Sequence, residues 1–190
     1  MAGSLERFCF QGRSLVCAVF IETGTYLGQT TENASRAGFE HVHTIEVSAR
    51  LFALAKERFA TRPDITVHYG SSPDVLPGLC DPTLSTVFYL DGHYQGGPLD
   101  ESDLLVGECP LILELGVIQA VDWKMLPVII IDDSKIFTIA PESRDAYLRS
   151  CHLDPAFWPT YRQVIDALGS AYCVYEEDDR LYCIPQGQAE

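Results

Sequence analysis

The chain has 190 residues, 47% of them hydrophobic, which is enough to bury one sizeable core and favours a single domain. Its 27 acidic and 13 basic residues give a formal net charge of −14. A polyphosphate backbone or an anionic membrane surface would repel such a chain. We therefore expect neither nucleic acid nor a membrane as a partner.

Cysteine usage and the lack of targeting patterns indicate where the protein works. The seven cysteines form no C-x-x-C pair, show no zinc-type spacing and are odd in number, which is typical of reduced thiols. No stretch has the pattern of a signal peptide or the apolar length of a transmembrane helix. The sequence predicts a cytoplasmic protein.

Short apolar runs alternate with segments of helical periodicity. The runs predicted to be strands are 16–22, 42–47, 65–69, 86–91 and 127–133. The helices are predicted at 29–37, 49–59, 73–79, 110–121, 143–151 and 159–168, with Ser48 capping the second of them. Two further runs, 171–175 and 180–184, flank four acidic residues and predict an antiparallel hairpin.

This order predicts an α/β fold with a doubly wound, mostly parallel Rossmann-like sheet and a C-terminal antiparallel hairpin. We expect one domain over residues 1–190, with 1–15 as an N-terminal extension and 16–185 as the core. In such sheets ligands bind beyond the carboxyl ends of the strands.

A glycine-containing loop follows the first predicted strand. Gly24 and Gly28 lie where that strand becomes the first helix, so the backbone can approach a ligand and helix N–H groups are free. Glu46 ends the second strand, where an acidic side chain can accept ribose hydroxyls. The pattern predicts a nucleotide-like cofactor that carries a carboxylate. The dinucleotide fingerprint G-x-G-x-x-G is absent, which leaves a nicotinamide cofactor as the alternative.

Together these features resemble the class I S-adenosylmethionine-dependent methyltransferases over about residues 16–185. In that family an acidic-x-Gly-x-x-x-Gly loop holds the amino acid part of the cofactor. The acid ending the second strand binds ribose, and the turn after the third strand meets adenine, where many relatives carry Asp instead of serine. The cofactor-binding residues that the resemblance implies are Glu22, Gly24, Gly28, Glu46, Ser71, Ser72 and Asp91.

Three carboxylates follow the next two strands. Asp91 closes the fourth predicted strand, and Asp132 and Asp133 close the fifth. Magnesium prefers hard oxygen ligands, so the sequence predicts a magnesium site at these three residues. The arrangement is similar to magnesium-dependent O-methyltransferases of the catechol and macrocin types. The alternative is that Asp91 or Asp132 caps a turn or contacts the cofactor directly, while Asp133 is solvated.

His93 lies two residues after Asp91, and its near-neutral pKa suits a general base that takes the substrate proton. An ordinary loop histidine is the alternative. The other four histidines receive no site assignment, and two of them, His43 and His68, alternate with core residues on strands. The glycine-containing segment 95–106 predicts either a lid over the substrate or a solvated connection.

The predicted function is transfer of a methyl group from S-adenosylmethionine to a hydroxyl of a small molecule, such as a sugar or a natural-product intermediate. The alternatives are a nonenzymatic Rossmann-like nucleotide-binding module and an NAD-dependent enzyme. The sequence leaves open whether the protein forms a homo-oligomer, because a neighbouring subunit often completes an acceptor pocket.

Overall fold

The computed structural model describes residues 19–94 and 108–187. Within them, seven strands form one sheet in the order β3-β2-β1-β4-β5-β7-β6. The strands are β1 (Val19–Thr23), β2 (His41–Glu46), β3 (Ile65–Tyr69), β4 (Thr86–Leu90), β5 (Val128–Ile131), β6 (Tyr172–Glu177) and β7 (Arg180–Pro185).

Helices connect and cover the strands. They are α1 (Gln29–Ala37), α2 (Ala49–Arg58), α3 (Ser72–Val75), α4 (Leu111–Gln119), α5 (Lys135–Thr138), α6 (Pro141–Ser150) and α7 (Tyr161–Leu168), with 3₁₀ turns at Leu76–Gly78 and Pro155–Phe157. Ser48 caps α2 by accepting a hydrogen bond from the Leu51 N–H, as its sequence predicts. None of the helices in the two described ranges has the length and apolarity to cross a bilayer.

The strand order reverses between β1 and β4, which is the topological switch point of the sheet. These two strands pair in parallel, although β2 and β3 lie between them in the sequence. Strands β1 to β5 are all parallel, whereas β7 pairs antiparallel to β5 and β6. This geometry brings the carboxyl ends of β1, β4 and β5 to one edge, and the switch point is where ligands bind in such sheets.

The central strands bury both faces, which explains why they read as continuous apolar runs. Ile21, Phe88 and Ile129 face one apolar cluster together with Leu115 of α4. Alternate residues, including Phe20 and Ile130, face a second cluster on the other side of the sheet.

The structure confirms the predicted fold class and the C-terminal hairpin. It also differs in detail: β5 ends at Ile131, because Asp132 turns toward side chains of β4 and β7 and Asp133 has a φ of 53°. The short helix α5 lies between the predicted strand 127–133 and the predicted helix 143–151, where no helix is predicted. The predicted extension at 1–15 and the predicted lid at 95–106 lie outside the described residues.

Candidate active site

The loop after β1 lies directly against β4. Gly24 has a φ of 82°, and a Cβ placed there would lie 2.2 Å from the carbonyl oxygen of Asp91. The Gly24 N–H donates to the Ile45 carbonyl of β2, which fixes the start of the loop. Only glycine satisfies both the left-handed backbone and the close approach. The glycine loop and the first predicted carboxylate are therefore neighbours.

Glu46 shapes this loop from the end of β2. Its carboxylate accepts hydrogen bonds of 2.9 Å from the backbone N–H of Tyr26 and of 2.9 Å from that of Ser48. Glu46 is buried, whereas Tyr26 is 62% exposed. The predicted ribose acceptor thus lies at the mouth of the loop, with its oxygens directed at backbone donors.

Glu22 is buried too deeply to face a bound ligand. It is 1% exposed, and its Oε2 accepts from the hydroxyls of Thr31 in α1 and Thr44 in β2. Burial raises the pKa of Glu22 to about 8, opposed by the two hydroxyl hydrogen bonds and assisted by the charges of Asp91 and Glu46. In this structure Glu22 supports the junction of strand, loop and helix from below.

Asp91, His93 and Asp133 form one group, with one ligand atom from each residue lying within 4.8 Å of the others. Within the described ranges, the buried Oδ1 of Asp91 has no hydrogen-bond partner. Burial raises the pKa of Asp91 to about 7, opposed by His93 and assisted by the charges of Asp132 and Asp133. A buried carboxylate oxygen without a donor, beside a second carboxylate and an imidazole, fits a divalent cation.

His93 lies between the two carboxylates. Its Nε2 is 2.8 Å from Asp133 Oδ2, its Nδ1 is 3.6 Å from Asp91 Oδ1, and its ring packs edge-on against Trp158. Burial disfavours the imidazolium, but the hydrogen bond to Asp133 and the nearby carboxylate charges prevail and raise the pKa of His93. The ring is therefore held in one orientation.

Asp132 has different partners. Its Oδ2 accepts from the Tyr89 hydroxyl, and its Oδ1 lies 3.2 Å from Arg180 Nε. The structure thus brings Asp91 and Asp133 together with His93, and it pairs the third predicted metal ligand with a tyrosine and an arginine.

A buried acid that sequence reasoning missed lies beside this group. Glu114 of α4 is 1% exposed and accepts from the hydroxyl of Ser72, and burial raises its pKa. A Cβ at Gly92 would lie 2.9 Å from Glu114 Oε1. The only signal in the sequence is one acid within the apolar segment Leu111–Gln119.

The two predicted adenine contacts differ in their surroundings. Ser71 is half-buried at the start of α3, whereas Ser72 is buried against Glu114. A small cavity opens between α4 and the ends of β4 and β5. Its lining is Leu90, Gly92, His93, Cys109, Pro110, Leu111, Glu114, Ile131 and Phe137. Most of this lining is apolar, and His93 and Glu114 supply the ionisable groups.

Comparisons with known proteins agree with this architecture. No protein-family model matches the chain, and no curated protein matches it in sequence. Among solved structures, the O-methyltransferase from Bacillus cereus in complex with SAH is 13% identical at a TM-score of 0.60, covering 95% of this chain and 78% of that one. SAH-bound methyltransferase PaMTH1 of Podospora anserina is 10% identical at a TM-score of 0.55, with 89% and 72% covered.

Human N-acetylserotonin methyltransferase in complex with SAM gives a TM-score of 0.54 at 13% identity, and the match covers 97% of this chain but 49% of the human protein. The three likenesses extend over nearly the whole sheet and its helices. At such low identity they concern the backbone architecture. The chain has the class I S-adenosylmethionine-dependent methyltransferase fold that its sequence predicts.

Proposed function

We propose that this protein transfers a methyl group from S-adenosylmethionine to a hydroxyl of a small molecule, with a magnesium ion held by the carboxylates of Asp91 and Asp133 and with His93 as the base beside it. The observation that carries the proposal is the contact between two predicted sites. The Gly24 backbone lies against Asp91, so a cofactor on the glycine loop and a cation on the carboxylates would be adjacent. A methyl donor and a cation held side by side would suit methyl transfer to a hydroxyl that the cation orients.

The cofactor would lie over the carboxyl ends of β1 and β2. Gly24 and Gly28 both have positive φ values, and a Cβ would meet the Asp91 carbonyl at Gly24 and the Phe59 ring at Gly28, so glycine at both positions lets the loop pack closely at the strand ends. The Glu46 carboxylate accepts from two backbone N–H groups and has further lone pairs, which would accept ribose hydroxyls. The matched structures with SAH or SAM bound support this choice of cofactor over a nicotinamide dinucleotide.

Asp91 and Asp133 supply hard oxygen ligands, and His93 lies between them. When bound, magnesium would orient the acceptor hydroxyl and lower its pKa. With its Nε2 proton donated to Asp133, His93 keeps a lone pair on Nδ1 that can take the substrate proton. The acceptor oxygen then bonds to the methyl carbon as the carbon–sulfur bond breaks, and the sulfonium leaves as a neutral thioether.

A small hydroxylated acceptor suits this chain better than a nucleic acid. The net charge of −14 disfavours a polyanionic substrate. A sugar or a natural-product intermediate is the proposed acceptor class.

Two experiments test the proposal. Calorimetry should show binding of S-adenosylhomocysteine and none of NAD, and Glu46→Gln should weaken binding by roughly 1–3 kcal/mol through loss of a buried acceptor. Glu40→Gln, at an exposed acid outside the site, is the matched control. Binding of NAD without S-adenosylhomocysteine would reject the methyltransferase proposal.

The second experiment screens hydroxylated sugars and catechols with methyl-labelled cofactor. Label should reach the acceptor in the presence of magnesium and stop when a chelator removes it. Cofactor binding without transfer to any acceptor class would favour a nonenzymatic binding module. Transfer that persists in the presence of chelator would support the methyltransferase activity but contradict a role for the metal.

A further inference from the structure

Glu108, which belongs to none of the predicted sites, contacts the surroundings of His93 in two ways. Its backbone carbonyl accepts a hydrogen bond of 2.7 Å from the N–H of Tyr94, the residue that follows His93. Its side-chain Oε2 accepts hydrogen bonds of 3.0 Å from the indole N–H of Trp158 and of 2.8 Å from the backbone N–H of Asp154. One residue therefore holds both the chain next to the imidazole and the aromatic side chain that packs against it.

The two side-chain hydrogen bonds fix both ends of one short turn. Asp154 and Trp158 are the residues directly before and after the 3₁₀ turn Pro155–Phe157. The backbone N–H of Trp158 closes this turn by donating to the carbonyl of its first residue at 3.2 Å. Because one oxygen of Glu108 accepts from a donor at each end, the turn cannot rotate without breaking a hydrogen bond. Glu108 thus sets the position of Trp158.

The Trp158 ring in turn restricts the imidazole of His93. Trp158 is buried, and its ring lies edge-on to that of His93 with centroids 5.3 Å apart and tilted against that of Phe137 with centroids 6.5 Å apart. The Nε2 of His93 is 2.8 Å from Asp133 Oδ2. That single hydrogen bond would leave the imidazole free to tilt about its own direction. The contact with a fixed aromatic ring limits this tilt.

We propose that Glu108 and Trp158 are positioning residues, which hold the His93 imidazole in the orientation that lets Nδ1 take the proton of the acceptor hydroxyl. The use of this imidazole as a base rests on the proposed function, whereas the hydrogen bonds and the ring contact do not depend on it. A base must lie within hydrogen-bond reach of its proton, and a misplacement of about 1 Å can lower a rate roughly 10²-fold. Glu108 acts here through Trp158 and the chain at Tyr94.

The test compares Glu108→Ala, which removes the side-chain acceptor, with Glu108→Gln, whose amide oxygen can accept both hydrogen bonds. In nuclear magnetic resonance spectra of wild type and Glu108→Gln, nuclear Overhauser effects should connect the ring protons of Trp158 and His93. In Glu108→Ala these effects should be lost, and the indole N–H resonance of Trp158 should shift. The other tryptophan, Trp123, donates to a backbone carbonyl elsewhere, so its indole resonance is the internal control and should not move.

Turnover and cofactor affinity are measured on the same proteins. Glu108→Ala should lower turnover by roughly tenfold or more while S-adenosylhomocysteine affinity stays within about twofold, and Glu108→Gln should restore turnover. Glu40→Ala, at an exposed acid outside the site, is the matched control. Should Glu108→Ala fail to fold, Trp158→Phe keeps an aromatic ring without the N–H donor and should show the same loss of turnover.

Two results would overturn the proposal. One is the absence of Overhauser effects between Trp158 and His93 in wild type, or their full retention in a folded Glu108→Ala. The other is turnover that Glu108→Ala and Trp158→Phe leave unchanged. A wild type that binds S-adenosylhomocysteine but methylates no acceptor would reject the proposed function instead, and the resonance measurements would still decide whether Glu108 holds the ring.

Discussion

At the scale of single residues, the site depends on buried acids whose protonation differs from that in the unfolded chain. Glu22 is the clearest case, because its carboxyl is enclosed and accepts hydrogen bonds from the neutral hydroxyls of Thr31 and Thr44. The folded-state pKa is raised to about 8 from an ordinary value of 4.5. This stabilising contribution is complete below pH 4.5 and disappears as the pH rises through 8.

Glu22→Gln should remove that pH dependence. Both hydroxyls bond one oxygen of Glu22, so the amide oxygen of glutamine can accept both. We expect the variant to match wild type near pH 4.5 and to be more stable at pH 9 by on the order of 2–4 kcal/mol, as measured by urea unfolding. Glu40→Gln, at an exposed acid, should show no such difference. Equal pH profiles for wild type and Glu22→Gln would contradict the raised pKa.

Two adjacent aspartates should respond differently to neutralisation. Asp133→Asn removes an oxygen ligand of the Asp91 group and should weaken magnesium or manganese binding by roughly tenfold or more. Asp132→Asn should leave metal affinity nearly unchanged but destabilise the fold by about 1–3 kcal/mol, because Arg180 loses its charge partner. Calorimetry and melting curves separate the two effects. Loss of metal affinity in both variants would restore the ligand set that the sequence predicts, and loss only in Asp132→Asn would contradict the Asp91 group.

Substitution of His93 tests whether its imidazole removes the proton from the substrate. His93→Ala should lower turnover by roughly 10²–10⁴-fold while leaving cofactor affinity intact, and the deficit should shrink as the pH rises because alkaline solution ionises the acceptor unaided. Initial rates across a pH series at saturating magnesium provide the measurement. Turnover within about twofold of wild type near pH 7 would leave proton removal to solvent.

At the scale of the elements, the central strands β1, β4 and β5 could be predicted because they are buried on both faces and form short apolar runs. The local sequence could not distinguish the roles of Asp132 and Asp133. Asp133 leaves the extended conformation with a φ of 53°, and Asp132 contacts Tyr89 and Arg180, which are distant in sequence. Glu114 escaped prediction for a related reason: its helix is apolar on most sides, so no periodic pattern marked the acid as facing a site.

The close packing of the loop between β1 and α1 predicts that its first glycine cannot be replaced without loss of stability. Gly24→Ala places a Cβ against the Asp91 carbonyl and requires alanine to adopt a left-handed backbone conformation. We therefore expect the variant to lose roughly 2 kcal/mol or more of folding stability and to lose cofactor binding as well. Gly78→Ala is the control, since a Cβ there meets nothing within 4 Å. Chemical unfolding and S-adenosylhomocysteine titration of both variants provide the comparison. A Gly24→Ala protein as stable as Gly78→Ala would show that the loop has room.

At the scale of the whole molecule, charge separates a small-molecule enzyme from one that modifies nucleic acid. With a net charge of −14, we expect no retardation of labelled transfer RNA or duplex DNA in gel-shift assays, even at low salt where electrostatic binding is strongest. A salt series provides the internal control. Binding that weakens steeply as salt rises would indicate a local basic surface and would contradict the proposed acceptor class.

The C-terminal hairpin ties distant parts of the chain to the site. Asp179 accepts from the backbone N–H of Ser134 and of Lys135, and Arg180 pairs with Asp132, across more than forty residues of intervening sequence. Such contacts give the wall around Asp133 a high contact order, which slows folding. On the ribosome, residues 132–135 emerge well before their partners at 179–180. The edge of the sheet that carries the candidate site must therefore be assembled late, after the hairpin has left the exit tunnel, and a nascent chain stalled before residue 179 would have the glycine loop but lack the contacts that fix the segment around Asp133.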